Sequence, residues 1–154
     1  TLHTTLMRPK SRGSVTLQSA DPSQAPAIDP GFFTHPDDMA VAIKGARMGF
    51  EILEAKAMAP YRGKRLHPFD VNDDKAMESF LRATCDTEYH PVGTCKMGPD
   101  TDPMAVVDAQ LRVRGVQALR VVDASIMPAL TTGNTNAPTM VIGEKAADLI
   151  RSGA

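Results

Sequence analysis

Met39, Ile43, Ala46, Phe50, Leu53 and Ala57 recur at spacings of four, three, four, three and four. No other stretch limits the fold so tightly, because this period belongs to one face of an α-helix. Lys44, Arg47, Glu51 and Glu54 lie off the stripe, so the helix is amphipathic and must cover something. Asp37 and Asp38 follow Pro36 and offer capping oxygens and negative charge for its start, and Pro60 stops it. Met39 and Phe50 are read as core rather than as ligand contacts.

The flanking segments suggest what the helix covers. Thr1 to Met7 alternates as a strand, with Leu2 and Leu6 on one face and His3, Thr5 and Met7 on the other. Ser14 to Gln18 alternates more cleanly, Val15 and Leu17 inward. With only Pro9, Ser11 and Gly13 marking a turn between them, the two predict an antiparallel hairpin. Asp21 to Pro36 carries four prolines and no period, which predicts a loop or an edge. Tyr61 to Val71 reads as a basic, solvated rim with Arg62, Lys64 and Arg65. A second helix is expected from Asn72, Asp73 and Asp74 to about Cys85, with Ala76, Phe80 and Ala83 inward. Leu111, Val113 and then Val116 to Val122 look like strands joined at Gly115, and a last helix runs from about Pro138 to Ile150. These elements do not alternate as βαβ units would. The fold class they predict is α+β, an antiparallel sheet flanked by helices.

A chain of 154 residues can bury one respectable core. A net charge of −1 and a pI near 6.4 give no reason to expect nucleic acid. No apolar run is long enough to span a bilayer. The chain opens without Met inside an alternating stretch, which predicts a fragment or processed piece of something longer. Cys85 and Cys95 form neither a metal-ligand pattern nor a disulfide framework, so no metal is expected, and reduced thiols in a cytoplasmic protein are the expectation.

Two runs are too specific to be filler. One is Tyr89-His90-Pro91-Val92-Gly93-Thr94-Cys95-Lys96-Met97-Gly98. The other is Val121-Val122-Asp123-Ala124-Ser125-Ile126-Met127-Pro128, continued by Thr132-Gly133-Asn134-Thr135-Asn136-Ala137-Pro138-Thr139. His35, His67 and His90 all precede proline, which biases each to an extended backbone. His35 reads as a neighbour of a helix cap and His67 as an exposed loop residue, whereas His90 sits among glycine, threonine and small residues. An imidazole suits proton acceptance near neutral pH. A dyad of His90 with Cys95 would need an oxyanion hole and an orienting third group, and nothing near Cys95 offers the first. One of Asn134 and Asn136 can cap the last helix, which leaves the other unexplained. That helix start carries roughly half a positive charge on unpaired N–H groups and would steady a carbonyl or developing anion. Asp123, at the end of an apolar strand, can cap or can bind a polyol.

Together with Leu6-Met7-Arg8-Pro9-Lys10-Ser11-Arg12-Gly13 and Ser19-Ala20-Asp21-Pro22, these runs closely resemble the C-terminal region of glucose–methanol–choline (GMC) oxidoreductases, most of all their choline and alcohol dehydrogenase branch. The resemblance implies an FAD enzyme that moves hydride from an alcohol carbon to flavin N5. It places His90 on the base that accepts the hydroxyl proton and Asn134 on its partner. Asp123 and Ala124 fall near the flavin's ribityl and pyrophosphate, and Asn136, Ala137, Pro138 and Thr139 on the turn facing its pyrimidine edge. It further implies residues 1–100 as a substrate-binding domain and 101–154 as a segment completing an FAD domain, whose last strand and helix pack on the remainder. No Gly-x-Gly-x-x-Gly follows a strand anywhere in the chain. The implied partners are therefore an alcohol substrate and an N-terminal FAD-binding portion. The alternative reading is a non-catalytic ligand-binding module of the same fold. The identity of the alcohol and the oligomeric state are not legible.

Overall fold

The computed structural model describes residues 1–153, which divide into two compact units, the first Thr1–Glu88 and the second beginning at Tyr89. The fold is α+β, and among the described residues the one sheet is a pair of short antiparallel strands.

In the first unit β1 (Ser14–Thr16) pairs with β2 (Ala27–Asp29), with Val15 opposite Ile28. The expected hairpin partner was Thr1 to Met7, and that expectation is corrected. Gly45 and Gly49 leave the helix surface open there: a Cβ on Gly49 would lie 2.8 Å from Leu2 Cδ2. The N-terminal segment packs on that notch, and the proline-rich stretch supplies the second strand instead. Val15 and Leu17, read as inward, are exposed.

Helix α1 (Pro36–Glu54) takes its cap from His35, whose Nδ1 accepts the Asp37 N–H at 3.2 Å. The expected caps do other work. Asp37 pairs with Lys10 Nζ at 2.5 Å, and the buried Asp38 carboxylate accepts the Lys10 and Ser11 N–H groups at 2.9 and 2.7 Å. Burial raises the Asp38 pKa and these hydrogen bonds lower it; the net displacement is downward. Met39 and Ala46 of the stripe are buried as expected. A 3₁₀ turn, Lys56–Tyr61, follows α1.

Helix α2 (Asp74–Thr84) is capped by Asp73, which accepts from Lys75 and Ala76. Its most buried residue is Met77, fully enclosed, while Ala83, expected inside, is exposed. Phe50, Phe69 and Phe80 meet edge to face and tilted, with centroids 4.8 to 6.0 Å apart. The basic stretch is only partly a solvated rim. Arg65 stacks 4.7 Å over Phe50 and Arg62 reaches the Leu53 carbonyl, so both close back onto α1.

The second unit is built on Val107, Leu111, Ile126 and Ala146, against which Met97, Val113, Val121, Ile142 and Leu149 pack. Helix α3 (Asn136–Arg151) enters that core through Ile142, Ala146 and Leu149, spaced four and three apart. The strands expected over 111–122 shrink to isolated bridges, Val107 with Val113 and Arg112 with Arg120. Gly115 and Ala118 take positive φ, which bends the stretch back so that Val113 N–H meets the Leu119 carbonyl at 2.9 Å. Val116, Leu119 and Val122 stay exposed, as do Met140, Val141 and Ile150 on α3. No helix among the described residues is long and apolar enough to cross a membrane.

Candidate active site

The segment carrying His90 is fixed by the backbone of the segment carrying Asp123. Cys95 N–H bonds the Ser125 carbonyl at 3.0 Å and Met97 N–H bonds the Ile126 carbonyl at 2.8 Å. Gly93, at φ +90°, passes the Met127 carbonyl where a Cβ would stand 3.4 Å away. Tyr89 precedes His90 at φ +62°, a left-handed conformation that costs a bulky residue on the order of 1–3 kcal/mol.

His90 is half-buried and both ring nitrogens have partners. Nδ1 lies 3.0 Å from Thr135 Oγ1, and Nε2 lies 3.0 Å from Asn134 Nδ2. The amide nitrogen can only donate, so Nε2 must present its lone pair. The ring proton then sits on Nδ1 and is donated to the threonine oxygen. In the tautomer that fits both contacts, Nε2 turns its lone pair toward the exposed Asn134. Neither nitrogen is engaged by Cys95, so the Cys-His dyad is not assembled. At Cys85 burial, then Asp86, pushes the thiol pKa up, away from a ready thiolate.

The start of α3 departs from expectation. The cap position belongs to Thr135, which makes no side-chain cap bond, and neither asparagine caps the helix. Asn134 is spent on His90, while Asn136 and Ala137 open the helix on its exposed side. Pro138 falls in the first turn, as its missing N–H requires. Thr139 Oγ1 donates to the Thr135 carbonyl at 2.6 Å, and its N–H meets the same oxygen at 3.0 Å. An uncapped helix end, partly positive, therefore stands directly beside the imidazole.

Asp123 caps the short 3₁₀ turn Ala124–Ile126, its Oδ1 accepting from Ser125 N–H at 2.8 Å and Ser125 Oγ at 2.5 Å. Of the two roles the sequence allowed it, the capping one is present. Through Ile126 this turn enters the core that α3 also enters. The two runs read as special thus converge in one unit, with His90 and Asn134 in hydrogen-bond contact across 44 positions. Thr135 is the residue that sequence reasoning missed. A threonine before a helix reads as a cap, and nothing in the sequence turns its hydroxyl toward an imidazole 45 positions away.

A family profile described as GMC oxidoreductase matches residues 9–143. The chain belongs to the GMC oxidoreductase family. Among its relatives, mitochondrial choline dehydrogenase of Mus musculus is 48% identical over 151 residues, covering 97% of this chain and 25% of the relative. The oxygen-dependent choline dehydrogenase of Pseudomonas savastanoi pv. phaseolicola is 49% identical over 150 residues, covering 97% and 26%. Among solved structures, formate oxidase of Aspergillus oryzae, studied for its FAD modification, aligns with a TM-score of 0.86 at 31% identity, covering 96% of this chain and 26% of that one. The chain thus spans about a quarter of the length of these GMC relatives.

Proposed function

We propose that the chain is the C-terminal, substrate-side portion of an FAD-dependent enzyme that oxidises an alcohol CH–OH group to a carbonyl, with a choline-like alcohol as the first candidate. The observation that carries this reading is the pair of contacts on the His90 ring, Nε2 to Asn134 Nδ2 and Nδ1 to Thr135 Oγ1, each at 3.0 Å, which suits a lone pair on Nε2. A substrate hydroxyl arriving there gives its proton to Nε2. The Asn134 amide, displaced from the ring, donates to the oxygen and fixes the carbon's orientation.

The residues present suit the cofactor. The exposed, uncapped start of α3 at Asn136 and Ala137 is the place for the electron-rich edge of a flavin, next to the base. Asn136, Ala137, Pro138 and Thr139 would hold that edge, and Asp123 and Ala124 the ribityl and pyrophosphate side. FAD, when bound, supplies the acceptor for the hydride. The remaining FAD contacts fall to an N-terminal FAD-binding portion, for which the exposed Val116, Leu119, Val122, Met140, Val141 and Ile150 offer an apolar seat. On this reading residues 1–100 form the substrate domain and 101–154 complete the FAD domain. Two free cysteines suit a reducing compartment such as the cytoplasm, although the mouse relative is mitochondrial by name.

The test is anaerobic addition of choline and other alcohols to the full-length enzyme while the flavin absorbance is followed. Bleaching by at least one alcohol is expected. A chain that purifies in its full-length form without flavin, or whose flavin no alcohol bleaches, would overturn the proposal in favour of a non-catalytic binding module.

A further inference from the structure

Thr135 stands at the cap position of α3 and yet caps nothing. A capping threonine ordinarily accepts from the N–H two or three residues on. The residue three on is Pro138, which has no N–H to give. Its hydroxyl is turned instead to His90 Nδ1 at 3.0 Å, from a residue only 7% exposed. Its own carbonyl is gripped twice by Thr139, through N–H and Oγ1, so the backbone beneath the hydroxyl is pinned. A β-branched side chain on a pinned backbone has few rotamers to choose from. A buried hydroxyl withheld from its own helix and aimed at one ring nitrogen calls for an account that capping does not supply.

We propose that Thr135 is a positioning residue for the reaction. Its Oγ1 accepts the Nδ1–H of His90 and so keeps the lone pair at Nε2, where the substrate hydroxyl arrives. This inference rests on the reading of His90 as the base. In the proton step the substrate O–H bond breaks, the Nε2–H bond forms, and the electron pair stays on the substrate oxygen. The imidazolium that results carries the new N–H on Nε2 beside the original one on Nδ1, which Thr135 accepts before and after the transfer. The hydroxyl therefore selects the reactive tautomer and also favours the charged product of proton transfer.

The test compares Thr135→Val, Thr135→Ser and His90→Ala in the full-length enzyme, by anaerobic stopped-flow flavin reduction across pH. Valine keeps the shape and loses the acceptor; serine keeps the acceptor and loses a methyl group. Thr135→Val should reduce its flavin roughly tenfold to hundredfold more slowly, the scale of one lost hydrogen bond to a charged group. Its rate profile should move to lower pH because the imidazolium has lost an acceptor, while FAD content stays at the parent level. Thr135→Ser should stay within a few-fold of the parent and keep the parent profile. Thr135→Val at the parent rate with an unmoved profile, beside a slow His90→Ala, would overturn this inference alone. Equal slowness of the serine and valine variants would overturn it too, since keeping the acceptor would then preserve nothing. His90→Ala at the parent rate would remove the base and this inference with it.

Discussion

Asn134→Asp changes one atom of the site and reverses its electrostatics. The new carboxylate would sit where Nδ2 now lies, 3.0 Å from His90 Nε2. At that separation a carboxylate and an imidazolium attract by about 1.4 kcal/mol in water and about 5.5 kcal/mol at an effective dielectric of 20. Asn134 is exposed here, so the lower figure applies, and it alone makes the base about tenfold harder to free of its proton. The same change removes the amide donor to the substrate oxygen and sets a negative charge beside the forming alkoxide. Losing a hydrogen bond to a charged group costs a further 1.5–3 kcal/mol or thereabouts. Together these slow flavin reduction by roughly two to three orders of magnitude near neutral pH, with partial recovery as the pH rises and the imidazolium gives up its proton. Anaerobic stopped-flow reduction of the full-length variant reads the rate, and the visible spectrum reads FAD content, which should stay near that of the parent. A variant that reduces at the parent rate, or that loses its flavin instead, would refute the placement of Asn134 on the substrate oxygen.

Asn136→Ala should have the opposite signature, with FAD occupancy falling and helix content unchanged, because the cap position of α3 is Thr135; flavin stoichiometry together with far-ultraviolet circular dichroism checks both. Asp38→Asn tests the first unit. The folded-state pKa of Asp38 is displaced downward, so its contribution to stability is in place above the unfolded carboxylate value of about 3.9 and is lost as the pH falls through the folded value. The variant should lose about 1–3 kcal/mol near neutral pH, since an amide cannot accept both the Lys10 and Ser11 N–H groups as the carboxylate does. Against the parent in thermal unfolding, that difference should shrink as the pH drops below about 4.

Helices were legible because their signals are local. The stripe from Met39, the Asp73 cap of α2 and the run after Pro138 each lie within one element, and each helix forms close to where its own residues place it. Strands were less legible because pairing is not local. Thr1 to Met7 alternates as a strand would, yet the open surface at Gly45 and Gly49 receives it, and no pattern within seven residues announces a notch on a distant helix. Val116 to Val122 is apolar enough for a strand, but among the described residues it finds one isolated bridge, Arg120 with Arg112, and Val116, Leu119 and Val122 remain exposed. In the site, residue types pointed to His90 and Asn134, and a hydrogen bond joins the two side chains. The cap at His35, the clamp at Asp38 and the hydroxyl of Thr135 were out of reach, because each depends on where a side chain turns after folding. Asp37 and Asp38 show the same limit: both looked like caps, and both bind residues 27 or 28 positions earlier.

On the proposed mechanism His90 takes the hydroxyl proton, and anaerobic reduction of the full-length His90→Ala variant across pH is the direct test. The variant should lose roughly two to four orders of magnitude in rate, the usual scale for a positioned base, with FAD content near normal. The residual rate should climb with pH as solvent hydroxide takes over the missing base. His35→Ala and His67→Ala, both in the first unit, should stay within a few-fold of the parent, with His35→Ala losing about 1 kcal/mol of stability for its cap. A His90→Ala enzyme that reduces its flavin at the parent rate, with the parent's pH dependence, would mean that the hydroxyl proton goes elsewhere than His90.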